Sequence, residues 1–92
     1  MMTYMDEINP HREAIYRLNN EIIERIAERQ REALAIGAIK KRYGKPVVDR
    51  SREQAILDNI KAQAPAYGIG PDALERVFKE IIKLCVEAEE TL

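Results

Sequence analysis

Apolar residues at Ile8, Ile15, Leu18, Ile22, Ile26, Ala33 and Ile36 recur mostly three, four or seven positions apart, with charged residues between them. That period belongs to one face of an α-helix and not to a half-buried strand. Gly44 and Pro46 are the first strong breakers, so the pattern predicts a single amphipathic helix from about Asp6 to about Tyr43. Lys45 to Arg50 reads as a short loop. Ser51 with Gln54 fits a capping box for a second helix, with Asp49 as the competing cap, and that helix carries Ile56, Leu57 and Ile60. Pro65 and Gly68 end it. Gly70, Pro71 and Asp72 then supply a cap, a proline at the first helical position and an acid in the first turn. The third helix places Leu74, Val77, Phe78, Ile81, Ile82, Cys85, Ala88 and Leu92 at helical spacing. No strand pattern, repeat or low-complexity tract interrupts this order. The expected fold class is all-α, with one very long N-terminal helix and two shorter ones in a single domain over residues 1–92.

Length gives this pattern a consequence. A helix of about 37 residues is roughly 55 Å long, whereas a compact globule of this chain length has a radius of gyration of only about 12 Å. The apolar stripe extends along most of the first helix, and two shorter helices cannot cover it. A second copy of the chain can, which predicts an obligate, intertwined homodimer. The competing expectation is a helix bent at Gly37, since glycine costs about 1 kcal/mol relative to alanine in a helix interior.

Charged residues make up 34% of the chain, yet 15 Lys and Arg against 16 Asp and Glu leave a formal net charge of -1. Nothing in that balance draws the chain toward nucleic acid or a membrane surface. The run Lys40-Lys41-Arg42-Tyr43-Gly44-Lys45 reads as a solvated helix end. Met1 to Glu7 lacks the apolar core of a signal peptide, and no stretch approaches the roughly 18 apolar residues of a spanning helix. The expected location is cytoplasmic. A lone cysteine, Cys85, excludes an intrachain disulfide and any multi-cysteine metal cluster. With His11 the only histidine and no glycine-rich phosphate loop, neither a metal nor a cofactor is expected.

The informative residues are polar ones that fall on the apolar stripes. Arg29 continues the heptad series Ile15, Ile22, Arg29, Ile36, and Lys40 lies only about 20° around the helix from it and about 16 Å further along. Glu53 shares the inner face of the second helix with Ile56, Leu57 and Ile60, and Glu89 follows Phe78, Ile81 and Cys85 on the third. Each alone has a plain structural explanation, by snorkelling or by favouring a helix terminus. Together they put two cations and two acids inward from three helices, where uncompensated charge is expensive. Either they pair with one another, or a ligand completes them.

The order Arg12, Ala27-Glu28-Arg29, Gly37, Ala38-Ile39-Lys40, Pro46-Val47-Val48-Asp49 and Arg52-Glu53 resembles the all-helical, AroQ-type chorismate mutases. The resemblance covers nearly the whole chain, and its specificity lies in the joint spacing of short pieces. It implies three-helix protomers intertwined as dimers, and rearrangement of chorismate to prephenate in phenylalanine and tyrosine biosynthesis, without a cofactor. By that resemblance Arg29 holds a substrate carboxylate, Lys40 binds near the ether oxygen and a carboxylate, and Glu53 accepts the ring hydroxyl. Asp49 and Arg52 help orient the same end of the site, and Arg12 crosses to complete the partner subunit's site. The crossing agrees with reach, because Arg12 and Arg29 stand about 26 Å apart along one straight helix, too far to grip one small ligand.

Two positions depart from the usual family pattern. Cys85 stands where a serine usually assists carboxylate binding, and Glu89 where a glutamine usually donates to the ether oxygen. A thiol is a poor donor, so Cys85 reads first as a small buried hydrophobe. Glu89 can replace glutamine as a donor only while it carries a proton. Two other readings stand beside this one: an isochorismate pyruvate lyase on a similar fold, and a non-enzymatic helical dimerisation module with Arg29 as a polar specificity residue.

Overall fold

The computed structural model describes Met1–Leu92. Three α-helices carry the fold: α1 over Tyr4–Arg42, α2 over Arg50–Gln63 and α3 over Pro71–Glu89, with a 3-10 turn at Ala64–Tyr67 leading from α2 toward α3. There are no strands, as the periodicity predicts.

α1 starts two residues before the expected Asp6, because Thr3 forms a capping box that the sequence reading did not use. The Asp6 amide donates to the Thr3 hydroxyl at 3.2 Å, and the Thr3 amide donates to the Asp6 carboxylate at 2.9 Å. Two amides at the helix start are thereby satisfied. Pro10 sits inside α1, where it has no N–H to offer the carbonyl of Asp6. That stretch lies at the surface, so water can take the missing place. The helix ends at Arg42, and Gly44 turns the chain with φ +65, a conformation that favours glycine.

No break occurs at Gly37. α1 runs on as one helix of 39 residues, and Gly37 is its buried residue, lying against α3. The molecule measures 66 × 26 × 15 Å with a radius of gyration of 17.7 Å, well above the roughly 12 Å of a compact chain of this length.

The cap of α2 corrects one expectation. Asp49, with extended backbone, accepts the Arg52 amide at 3.0 Å, whereas Ser51 lies within the first turn of the helix. The Ser51–Gln54 capping box therefore does not form. Only a residue just outside the helix can aim its side chain at these amides, and Asp49 holds that place. Gly68, at φ +69, closes the 3-10 turn, and Pro71 opens α3 behind Gly70 as expected. α3 ends at Glu89, short of Leu92. The chain then turns, with the Thr91 hydroxyl donating to the Ala88 carbonyl at 2.6 Å.

α3 packs against both other helices, and no backbone packing joins α1 directly to α2. The core is small: Leu57, Ala64, Ile82 and Cys85 are its buried apolar residues. Lys61 ties the end of α2 to the start of α3, 3.5 Å from both Asp72 and Glu75. Attraction to Glu75 first and Asp72 second raises the Lys61 pKa. The N-terminal half of α1 has less cover: Leu18 and Ile22 border a groove shared with Val77, Phe78 and Ile81 of α3, yet Ile15, Leu18, Ile22 and Ile23 are each about half exposed or more. No helix is long and apolar enough to cross a membrane.

Candidate active site

The C-terminal half of α1, the loop after it, α2 and α3 enclose a cavity of about 350 Å³. Seven of the eight residues singled out from the sequence line it: Arg29, Lys40, Asp49, Arg52, Glu53, Cys85 and Glu89. Each element delivers its share by helical period. Arg29 and Lys40 come from one face of α1, Glu53 from the first turn of α2 and Cys85 and Glu89 from successive turns of α3. Arg12, the eighth, is exposed on the uncovered part of α1 and stands apart.

The cations face inward without carboxylate partners. Arg29 donates from Nη1 to the Cys85 sulfur at 3.1 Å, and Lys40 donates from Nζ to the Val47 carbonyl at 2.8 Å. No ion pair joins Arg29 or Lys40 to Glu53 or Glu89; the ion pairs of the chain lie elsewhere, or join Glu53 to Arg50 at 4.0 Å. Of the two outcomes posed by the sequence, mutual pairing is thus not what the chain adopts. Each cation keeps donors to spare, since a guanidinium has five and an ammonium three.

The acids are held differently. Asp49 is occupied at the head of α2, while Glu89 is buried within α3 at 7% exposure. Glu53 Oε2 is buried with no hydrogen-bond partner at all. A buried carboxylate oxygen without a donor costs roughly 1–3 kcal/mol or more, so a ligand that brought a hydroxyl or N–H to this oxygen would recover that loss.

Cys85 is buried at 3% exposure, as a small hydrophobe would be, but its sulfur also receives the Arg29 guanidinium. It therefore helps fix the direction of Arg29. The sequence reading missed Glu32 and Val86 on the cavity wall, named Val47 only within a motif and without a role, and treated Ala33, Ile36, Ile56 and Ile82 only as stripe residues. Val47 acts through its backbone carbonyl, which no side-chain pattern announces. Glu32 lies three residues from Arg29, so the i, i+3 relation was the signal available for it. Counting side chains, Arg29, Lys40 and Arg52 face Glu32, Asp49, Glu53 and Glu89, three cations against four acids. No cluster of three or more His, Cys, Asp or Glu is arranged to hold a metal ion.

Three helices that gather unpaired cations and an unpartnered carboxylate oxygen around a small cavity make an all-α protein with a polar pocket at the junction of its helices. Residues 11–90 match the family described as chorismate mutase type II, and the chain belongs to that family. It is 31% identical over 91 residues to the bifunctional chorismate mutase/prephenate dehydratase of Aquifex aeolicus (strain VF5), covering 96% of this chain and 25% of that protein. It is 27% identical over 77 residues to the T-protein of Enterobacter agglomerans, covering 84% of this chain and 21% of that protein. With the T-protein of Haemophilus influenzae the identity is 28% over 82 residues, 89% of this chain and 22% of that protein. The chain thus spans 21% to 25% of the length of these three curated relatives.

Proposed function

We propose that residues 1–92 act as one chorismate mutase domain that converts chorismate to prephenate as a homodimer, with no cofactor. The observation that carries this reading is the convergence of Arg29, Lys40 and the unpartnered Glu53 oxygen on one cavity, with no ion pair among them. Chorismate presents what those groups lack: two carboxylates, an ether oxygen and a ring hydroxyl. A cavity of about 350 Å³ falls at the lower end of the range for small-molecule sites.

The reaction is an intramolecular Claisen rearrangement. The ether C–O bond breaks while a C–C bond forms within the same molecule, with no covalent intermediate and no obligatory proton transfer. The work of the protein is therefore to hold the reactive conformer and to stabilise the charge that develops on the ether oxygen. Arg29, directed by Cys85, takes one carboxylate. Lys40, anchored on Val47, uses its remaining donors on the ether oxygen and a carboxylate. Glu53 accepts the ring hydroxyl, Asp49 and Arg52 border that end of the pocket, and Glu89 stands beside Lys40 at the ether oxygen.

The charge count supports a contribution from outside the chain. Three cations facing four acids offer a dianion no net positive charge, and the partner subunit's Arg12 is the cation proposed to redress it. An intertwined dimer would also cover the exposed isoleucines of α1. A cytoplasmic location belongs to the same proposal.

The decisive experiment is a spectrophotometric assay of chorismate loss with identification of the product, run beside Arg29→Ala, with isochorismate as a parallel substrate. Prephenate from chorismate, lost in the variant, is the expected result. Pyruvate released from isochorismate without prephenate formation would transfer the assignment to a lyase. Failure of both substrates to react or to raise Tm would return the chain to a dimerisation module.

A further inference from the structure

Gly37 of α1 faces the end of α3 at close range. A methyl group at Gly37 would stand 3.0 Å from Cγ and 3.3 Å from Cβ of Glu89, and 2.9 Å from Cδ1 of Leu92. Gly37 has ordinary helical backbone, with the positive φ values of the chain confined to Gly44 and Gly68. Its dihedrals would suit alanine, which is the better helix former. What glycine provides here is space.

The two neighbours differ in how they can give way. Leu92 lies beyond the last turn of α3, is 48% exposed, and meets the position with the tip of a flexible side chain. It can rotate aside. Glu89 is 7% exposed, its Cβ is fixed by the backbone of α3, and its Cγ is the first atom that can swing. Gly37 also lies three residues before Lys40 and so shares its side of α1. Any movement of the Glu89 stem away from position 37 therefore changes where its carboxyl stands relative to the Lys40 ammonium.

We propose that Gly37 is a positioning residue whose missing side chain opens the slot in α1 along which the Glu89 stem reaches the cavity. The placement of Glu89 is a matter of geometry alone. Its effect on rate rests on the chorismate mutase reading, in which Glu89 stands at the ether oxygen.

The test combines crystal structures of the wild type and Gly37→Ala with steady-state kinetics of Gly37→Ala, Leu92→Ala, the double variant of these two, Glu89→Ala and Gly37→Ala/Glu89→Ala. Gly37→Ala is expected to displace the Glu89 carboxyl while α1 stays helical, and to lower kcat about 10- to 100-fold. KM should stay within about threefold, since carboxylate binding by Arg29 is untouched. Removing Leu92 should not rescue the variant, and Gly37→Ala should add almost nothing to Glu89→Ala, because both act through one group. A Glu89 side chain that superimposes on the wild type overturns the proposal, as does full rescue by Leu92→Ala or an undiminished effect in the Glu89→Ala background. If the wild type turns over no chorismate, the functional reading fails and the crystal structures still decide the role of Gly37. A displaced Glu89 with unchanged kcat sustains the slot and removes Glu89 from the chemistry.

Discussion

Arg29 and Lys40 carry the strongest chemical expectation because each is already oriented before a ligand arrives. The Cys85 sulfur and the Val47 carbonyl direct them with single hydrogen bonds and leave their charge unpaired. Such preorganisation lets a cation act on developing negative charge without reorganising at the moment of reaction. A charge-assisted contact is worth about 1.5–3 kcal/mol, so Arg29→Ala and Lys40→Ala should each lower kcat/KM by about 10- to 150-fold or more. Circular dichroism and gel filtration should show both variants folded and of wild-type size. Glu89 gives a prediction of different form. A glutamine amide carries a hydrogen-bond donor and an alanine carries none, so Glu89→Gln should turn over at least as fast as the wild type, while Glu89→Ala should lower kcat about tenfold or more. A loss in Glu89→Gln as large as that in Glu89→Ala would remove Glu89 from its proposed role. The inward direction of Arg29, Lys40, Glu53 and Glu89 was readable from helical period, since four polar residues sat where apolar ones belong. The Arg29–Cys85 contact joins residues 56 positions apart, and no local pattern encodes it.

At the level of the helices, the termini decide most of what is specific. Asp49 both caps α2 and borders the cavity, so it couples the stability of that helix to the shape of the site. Asp49→Ala should cost about 0.5–2 kcal/mol, seen as a drop in Tm of several degrees. Ser51→Ala, by contrast, should leave thermal unfolding nearly unchanged, which distinguishes the cap in use from the one the sequence also allowed. Lys61 offers a test in pH. Its pKa is raised on folding, mainly by Glu75 and then Asp72, so its stabilisation is fully present below the unfolded lysine value of about 10.4 and disappears as pH climbs through the folded one. Urea unfolding of wild type and Lys61→Gln should differ modestly at neutral pH and converge in the alkaline range. The side chain remains 38% exposed, so solvent keeps the effect small. Helix existence and order were legible because apolar period and breakers are local signals. The ends were less so, since Ser51 and Asp49 compete for one position and only the path of the backbone chooses between them.

The elongated shape raises the question of what covers α1. α3 has 19 residues against 39 in α1, so it covers only part of the longer helix, and large apolar side chains remain exposed along the rest. A dimer with shared sites predicts complementation. Arg12→Ala and Arg29→Ala homodimers should each be nearly inactive, yet an equal mixture, unfolded and refolded together, should recover about a quarter of wild-type activity. Half the dimers would then be mixed, and each would own one site with both arginines intact. A refolded mixture no more active than its components would exclude an exchange of Arg12 between subunits. Sedimentation of Ile22→Glu, which places a charge in the uncovered stripe, should show a shift toward monomer.

By itself the sequence determined the helix order, the excess length of α1 and the inward set of charges, because each follows from spacing along one chain and from the fixed rise and turn of a helix. The tertiary structure alone decided that Arg29 turns to Cys85, that Lys40 is held by a backbone carbonyl, that Glu53 keeps an oxygen without a donor and that Glu89 lies along Gly37. These are relations between residues far apart in sequence or through the backbone. They depend on which rotamers survive when helices close to packing distance, and periodicity carries no record of that choice.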